Sequence, residues 1–178
     1  MCPVEHAGAL DAGIRKLVQD PAKILRPWVW EGMTVLDLGC GPGFFSIEIA
    51  KMVGKTGKVF AADLQEGMLE KLGRKIANTP LVQRIQLHKC RADGVGLSAA
   101  LDFVLLFYVL HEVPDKPALF RELRGIMKPG AALLVVEPKF HVGKKDFMKA
   151  TGLLVDAGFT TGTGPRVFFS RSVLARRD

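Results

Sequence analysis

At 178 residues and 48% hydrophobic, the chain is one domain's length and can bury a large core, which excludes intrinsic disorder. Its apolar runs fall short of the ~18 residues of a membrane span, so no membrane partner is expected, and the start MCPVEHAGALDAG lacks the basic and apolar regions of a signal peptide. The net charge of +7 is scattered over polar helix faces, with its densest cluster at 171–177. Nucleic acid is therefore a possible partner and not the favoured one. Cys2, Cys40 and Cys90 are a sparse, odd set, which suits a reducing cytoplasmic setting and no disulfide framework.

Residues 1–30 precede the sheet. Leu10, Ile14, Leu17 and Val18 recur at helical spacing, and Asp20-Pro21 starts a second short helix over 21–25. From Met33 onward strands and helices alternate. Strands are expected over 33–38, 58–62, 85–89, 102–107 and 131–137. Helices are expected over 43–52, 65–77, 116–127 and 144–157, with 95–100 a short helix or loop. Two final strands are placed near 166–170 and 172–175, and their brief link makes them antiparallel. Five β-α units with short links imply an α/β fold: a parallel sheet with helices on both faces.

The stretch VLDLGCGPGFF at 35–45 organises the rest. An apolar strand ends in Gly39, Gly41 and Gly43, where glycine lets the backbone take positive φ and approach a ligand. The third glycine comes one place too early for a dinucleotide fingerprint, and no Lys-Ser/Thr pair follows for a phosphate loop. Asp37 inside the strand would repel phosphate and suits an ammonium or hydroxyl donors. Asp63 lies at the end of the second strand, 24 residues after Gly39. That is close to the ~20-residue offset of a ribose-binding acid.

With the later HEVPD and KPG, VLDLGCGPG resembles the first motif of class I S-adenosylmethionine (SAM) dependent methyltransferases over roughly 30–137. The resemblance implies a three-layer α/β sandwich with a mixed seven-strand sheet of order 3-2-1-4-5-7-6, the last strand antiparallel. It divides the chain into an arm or lid at 1–30, with Leu10, Arg15 and Trp28 as lid residues, and a SAM-binding domain at 31–178. For Trp28, packing on the sheet edge is the favoured alternative. SAM as cofactor, S-adenosylhomocysteine as product and no metal are expected. Gly39, Cys40, Gly41 and Gly43 would wrap the methionine end, and Asp37 would orient its ammonium. Asp63 would take the ribose hydroxyls, Leu64 would flank the adenine, and Phe107 would lie at the cleft. For Asp63 a helix N-cap is the alternative, and both roles are compatible. Relatives carry an acid where this chain has Arg91, so either Asp93 or the backbone of Ala92 would serve the adenine.

After the fourth strand, FYVLHEVPDK offers Tyr108, His111 and Glu112 to face substrate, and EPKFH adds Glu137 and His141. An imidazole, titrating near ~6.5, suits a general base at neutral pH. His111, Glu112 and His141 are the catalytic candidates, against a structural histidine bonded to Glu112 or a carbonyl. Cys40 and Cys90 read as small buried fillers ahead of thiolate chemistry. The expected activity is methyl transfer to a small-molecule acceptor. An RNA or protein methyltransferase, or a non-catalytic SAM-binding subunit, are the alternatives. The base-methylating N/D-P-P-Y/F motif is missing after strand four.

Overall fold

The computed structural model describes residues 19–178. The helical spacing over 9–18, and with it Leu10 and Arg15, lies outside those residues. Seven strands form one sheet of order β3-β2-β1-β4-β5-β7-β6. They are β1 (Thr34–Leu38), β2 (Lys58–Asp63), β3 (Ile85–Lys89), β4 (Leu101–Phe107), β5 (Met127–Pro138), β6 (Phe159–Thr163) and β7 (Ser170–Arg177). β1 to β5 run parallel, and β7 is antiparallel to both its neighbours. The described helices are α1 (Pro21–Leu25), α2 (Ser46–Met52), α3 (Glu66–Ile76), α4 (Lys116–Ile126) and α5 (Lys144–Asp156).

The central strands are apolar on both faces because both faces are covered. Side chains alternate across a strand. Val35, Phe103, Leu105 and Leu134 therefore pack with Leu25, Ile49 and Leu72 on the side of α1, α2 and α3. Leu36, Val104, Leu106 and Leu133 pack with Leu119, Leu123 and Leu154 on the side of α4 and α5. Full burial of one such side chain contributes about 1.5–3 kcal/mol before entropy is counted. Asp20 caps α1, with Oδ1 accepting from the Ala22 amide at 3.0 Å. Asp115 caps α4 in the same way, accepting from the Ala118 amide at 2.8 Å. Asp102 ties the strand starts together, its carboxylate accepting from the Thr34 amide at 2.8 Å and the Lys128 ammonium at 2.7 Å.

Three expectations needed correction. The helix after the glycine loop starts at Ser46, not at 43, because the φ values of Gly39, Gly41 and Gly43 (74, 53 and 87°) are not helical. β5 starts directly at Met127, shifts register, and pairs Ala132 with Phe103. β6 is Phe159–Thr163, not 166–170. The weak sequence FTTGT forms the edge strand, and the apolar RVFFS leads into a turn with Phe169 at φ 50°. Trp28 lies by Asp102, Lys128 and Arg176, at the sheet edge where β4 and β5 begin, not at the carboxyl ends where the lid was placed. Sheet-edge packing is the reading that this position fits. No helix among the described residues is long and apolar enough to cross a membrane.

Candidate active site

Parallel strands put all their carboxyl ends on one edge, where ligands bind in open α/β sheets. The first loop there is fixed by its own backbone. The amides of Gly39 and Cys40 donate to the Ala62 carbonyl at 2.8 and 3.0 Å. The Gly41 amide donates to Asp63 Oδ2 at 2.9 Å. A side chain on Gly39 would place Cβ 2.5 Å from Val109 Cγ2, so this glycine is required by packing. Among the described residues nothing lies within 4 Å of a Cβ added at Gly41. The loop thus offers bare backbone to open space at Gly41, a cradle that a side chain would fill.

Asp63 sits at the lip of that cradle. It is buried, and its Oδ1 accepts from the Gln65 amide at 2.8 Å, so it also orders the entry to α3. Among the described residues no cation pairs with it. Each carboxylate oxygen has lone-pair capacity beyond one bond, which leaves room for hydroxyl donors. Leu64 follows as an exposed apolar side chain. The Cys90 amide donates to the Asp63 carbonyl at 3.0 Å, holding the turn after β3 against it. In that turn Arg91 Nε donates to Asp93 Oδ1 at 3.0 Å, the Arg91 amide donates to the Gly94 carbonyl at 3.0 Å, and Ala92 is exposed at the tip. Glu122 of α4 accepts from the amides of Val95 and Gly96 at 2.9 and 2.7 Å, anchoring the far side of the loop. Sequence reasoning missed Glu122, since nothing along a helix face marks a carboxylate that reaches a loop 27 residues away.

Asp37 is buried in β1 and accepts from the Ser46 hydroxyl at 2.5 Å. It braces the loop from beneath, and Ser46 was the partner not foreseen. Burial is the main force raising the Cys40 thiol far above its ordinary range, with the charges of Asp37 and Asp63 adding to it. Burial, then Asp63 and Glu122, push Cys90 up to about 11. Both thiols stay protonated at neutral pH, as buried fillers should.

The other half of the site is built by side chains. Phe107 is buried against Phe45, with ring centroids 4.2 Å apart. Tyr108 follows at φ 62°, rare for a bulky residue, and is held by three elements. Its amide donates to the Val136 carbonyl at 2.8 Å, and its hydroxyl meets Ser170 Oγ at 2.5 Å and Gln19 Nε2 at 2.6 Å. The phenol is therefore an anchor. The turn it makes brings a 3-10 segment, Leu110–Glu112, over the end of β5. There Glu137, buried, accepts from the Leu110 amide at 2.9 Å and meets His111 Nδ1 at 2.6 Å. Burial raises the Glu137 carboxyl above its ordinary value, and the His111 contact opposes that. His141 stacks on His111 at 5.5 Å and 14°. Glu137 thus pairs with His111, not with His141, and Glu112 is exposed beside that pair.

A methyltransferase domain model matches residues 30–157. The chain belongs to the methyltransferase domain family. Within it, this methyltransferase is of the class I, SAM-dependent type, whose sheet order it shares. It is similar to a SAM dependent methyltransferase from Aquifex aeolicus at TM-score 0.87 and 29% identity, over 98% of both chains. It is 35% identical over 111 residues to UbiE of Escherichia coli, a ubiquinone/menaquinone biosynthesis C-methyltransferase. That match covers 61% of this methyltransferase and 44% of the relative, so the chain spans less than half the length of that protein. An O-methyltransferase from Thermotoga maritima shares the fold at TM-score 0.69, with 20% identity over 89% of this chain and 64% of its own. SAM fits the residues present: a bare-backbone cradle at Gly41, a buried acid at its lip and an exposed apolar side chain at Leu64.

Proposed function

We propose that this methyltransferase moves the methyl group of SAM to a small-molecule acceptor whose attacking atom must lose a proton, with His111 as the base. The observation that carries the reading is the His111–Glu137 contact of 2.6 Å at the carboxyl edge of the sheet. A carboxylate bonded to Nδ1–H fixes the tautomer and leaves Nε2 with a lone pair. The second Glu137 oxygen is taken by the Leu110 amide, so the carboxylate cannot swing away without losing that bond. SAM, when bound, supplies a methyl group already activated by a sulfonium charge. The loop at 39–43 and Asp63 would hold its amino-acid and ribose parts. Leu64 and the turn at 91–93 would flank the adenine, and Asp37 would act through the loop it braces. Phe107 closes the cleft floor. Positioning of two bound partners can supply ~7–11 kcal/mol of the barrier, so little else is asked of the protein. As the acceptor atom takes the methyl, its proton would pass to Nε2 of His111, with Glu137 holding the imidazolium. The similarity to a C-methyltransferase of quinone biosynthesis supports a small organic acceptor.

The test is transfer of labelled methyl from SAM across three acceptor panels: hydroxylated aromatic small molecules, total RNA and unfractionated protein. Label entering only the small-molecule panel supports the reading. Label in RNA, with heparin retention lost steeply as salt rises, would instead favour the nucleic acid alternative. SAM binding with no label transferred to any panel would favour a non-catalytic subunit.

A further inference from the structure

Beside the His111–Glu137 pair the surface changes character. Two loops lie against each other there, 139–143 after β5 and 164–169 before β7, joined where the Lys139 amide donates to the Phe169 carbonyl at 2.9 Å. They expose three phenylalanine rings: Phe140 at 73%, Phe168 at 59% and Phe169 at 64%. The rings are not scattered singly. Phe168 and Phe169 pack edge-on at 4.9 Å, and Phe140 packs at 5.0 Å on His141, which stacks on His111. Phe169 holds its ring outward from a backbone at φ 50°, a conformation that a bulky residue keeps only when the surroundings impose it. The two loops and the start of α5 supply only cations. Residues 139–145 and 164–169 contain Lys139, Lys144, Lys145 and Arg166 and no carboxylate. Of the acids that flank the first loop, Glu137 is buried and bonded to His111, and Asp146, whose carboxylate lies beside Gly143, faces Lys149 at 3.9 Å.

Exposed aromatic rings on two loops whose own charged residues are all cations match the chemistry of a lipid–water interface. Rings sit at the headgroup level and cations meet anionic headgroups. That no helix among the described residues is long and apolar enough to cross a membrane does not bear on lying against one. We propose that the loops at 139–143 and 164–169 dock this edge of the protein on an anionic lipid surface, with the mouth of the His111 site turned toward the membrane. An amphiphilic acceptor could then enter from the lipid without crossing water. The docking itself does not depend on the activity proposed above.

Co-sedimentation of the full chain with vesicles, without SAM or acceptor, tests it. Vesicles of phosphatidylcholine are compared with vesicles of phosphatidylcholine and phosphatidylglycerol. Binding to the anionic vesicles only, weakened by added salt, is the expected result. The double variant Phe168→Ser, Phe169→Asn should lower that partition about tenfold or more while leaving the melting temperature within a few degrees, since Asn tolerates the left-handed backbone. Phe140→Ser, outside that turn, should lower it in the same direction. Equal binding to both vesicles, no binding, or partition unchanged in these variants would overturn the proposal. So would concentration-dependent dimerisation that the double variant abolishes, because the rings would then meet a second copy of the chain.

Discussion

The two halves of the site are made of different material. The half proposed for the cofactor is backbone: glycines at 39, 41 and 43 and amides aimed at a neighbouring carbonyl and Asp63. The half proposed for the acceptor is side chain: a histidine on one loop, a carboxylate 26 residues away on another strand, and a second imidazole stacked on the first. Backbone construction tolerates little change in residue size but specifies no acceptor. Side-chain construction allows a change of chemistry without disturbing the sheet. Substitutions in the first half should therefore show up in folding and SAM affinity, and those in the second in turnover.

The largest stability effect should come from Gly39→Ala. Its Cβ would strike Val109, and its φ of 74° is adverse to alanine. A loss of about 2–4 kcal/mol in chemical denaturation is expected. A loss below ~1 kcal/mol would mean that the loop and Val109 move apart freely. Next, Asp63→Ala should weaken SAM binding by about 1–3 kcal/mol in calorimetry, through lost charge-assisted hydrogen bonds. Unchanged affinity would remove Asp63 from the ribose site.

A smaller effect should appear in the pH dependence of stability at Glu137. Its folded carboxyl titrates above the ordinary 4.5, chiefly through burial. A raised carboxyl contributes stability below its unfolded value and loses it as pH rises through the folded one. The stability of the parent chain relative to Glu137→Gln should thus fall as pH rises above the ordinary carboxyl value of 4.5. A difference that stays flat or grows with pH would contradict the burial. Smallest in energy is the thiol prediction. In a Cys2→Ser background, iodoacetamide should label the native protein at least tenfold more slowly than the unfolded chain at about pH 8, because Cys40 and Cys90 are buried and protonated. Equal rates would reopen thiolate chemistry.

What was legible in the sequence follows the same division. The glycine loop, the spaced Asp63 and the apolar central strands are local patterns; they point to the parallel part of the fold directly, and to the full sheet order only through the family they resemble. His111 stood out as a residue type, but its partner did not. Glu137 was expected beside His141, and only the positive φ of Tyr108 and the pairing of β4 with β5 put it on His111. Likewise Ser46 could not be read as the partner of Asp37, because a serine opening a helix signals a cap first. β6 was misplaced because residue type was weighed above position. An edge strand needs few apolar residues, whereas the phenylalanines of RVFFS, which looked like a strand, are spent on the surface.

The central claim is that His111, held by Glu137, serves the acceptor and not the cofactor. Turnover of labelled methyl and SAM affinity, measured side by side for the parent chain and His111→Ala, test it most directly. The account predicts turnover reduced about 100-fold or more with SAM affinity within twofold of the parent. Intact turnover, or affinity and turnover falling together, would contradict it.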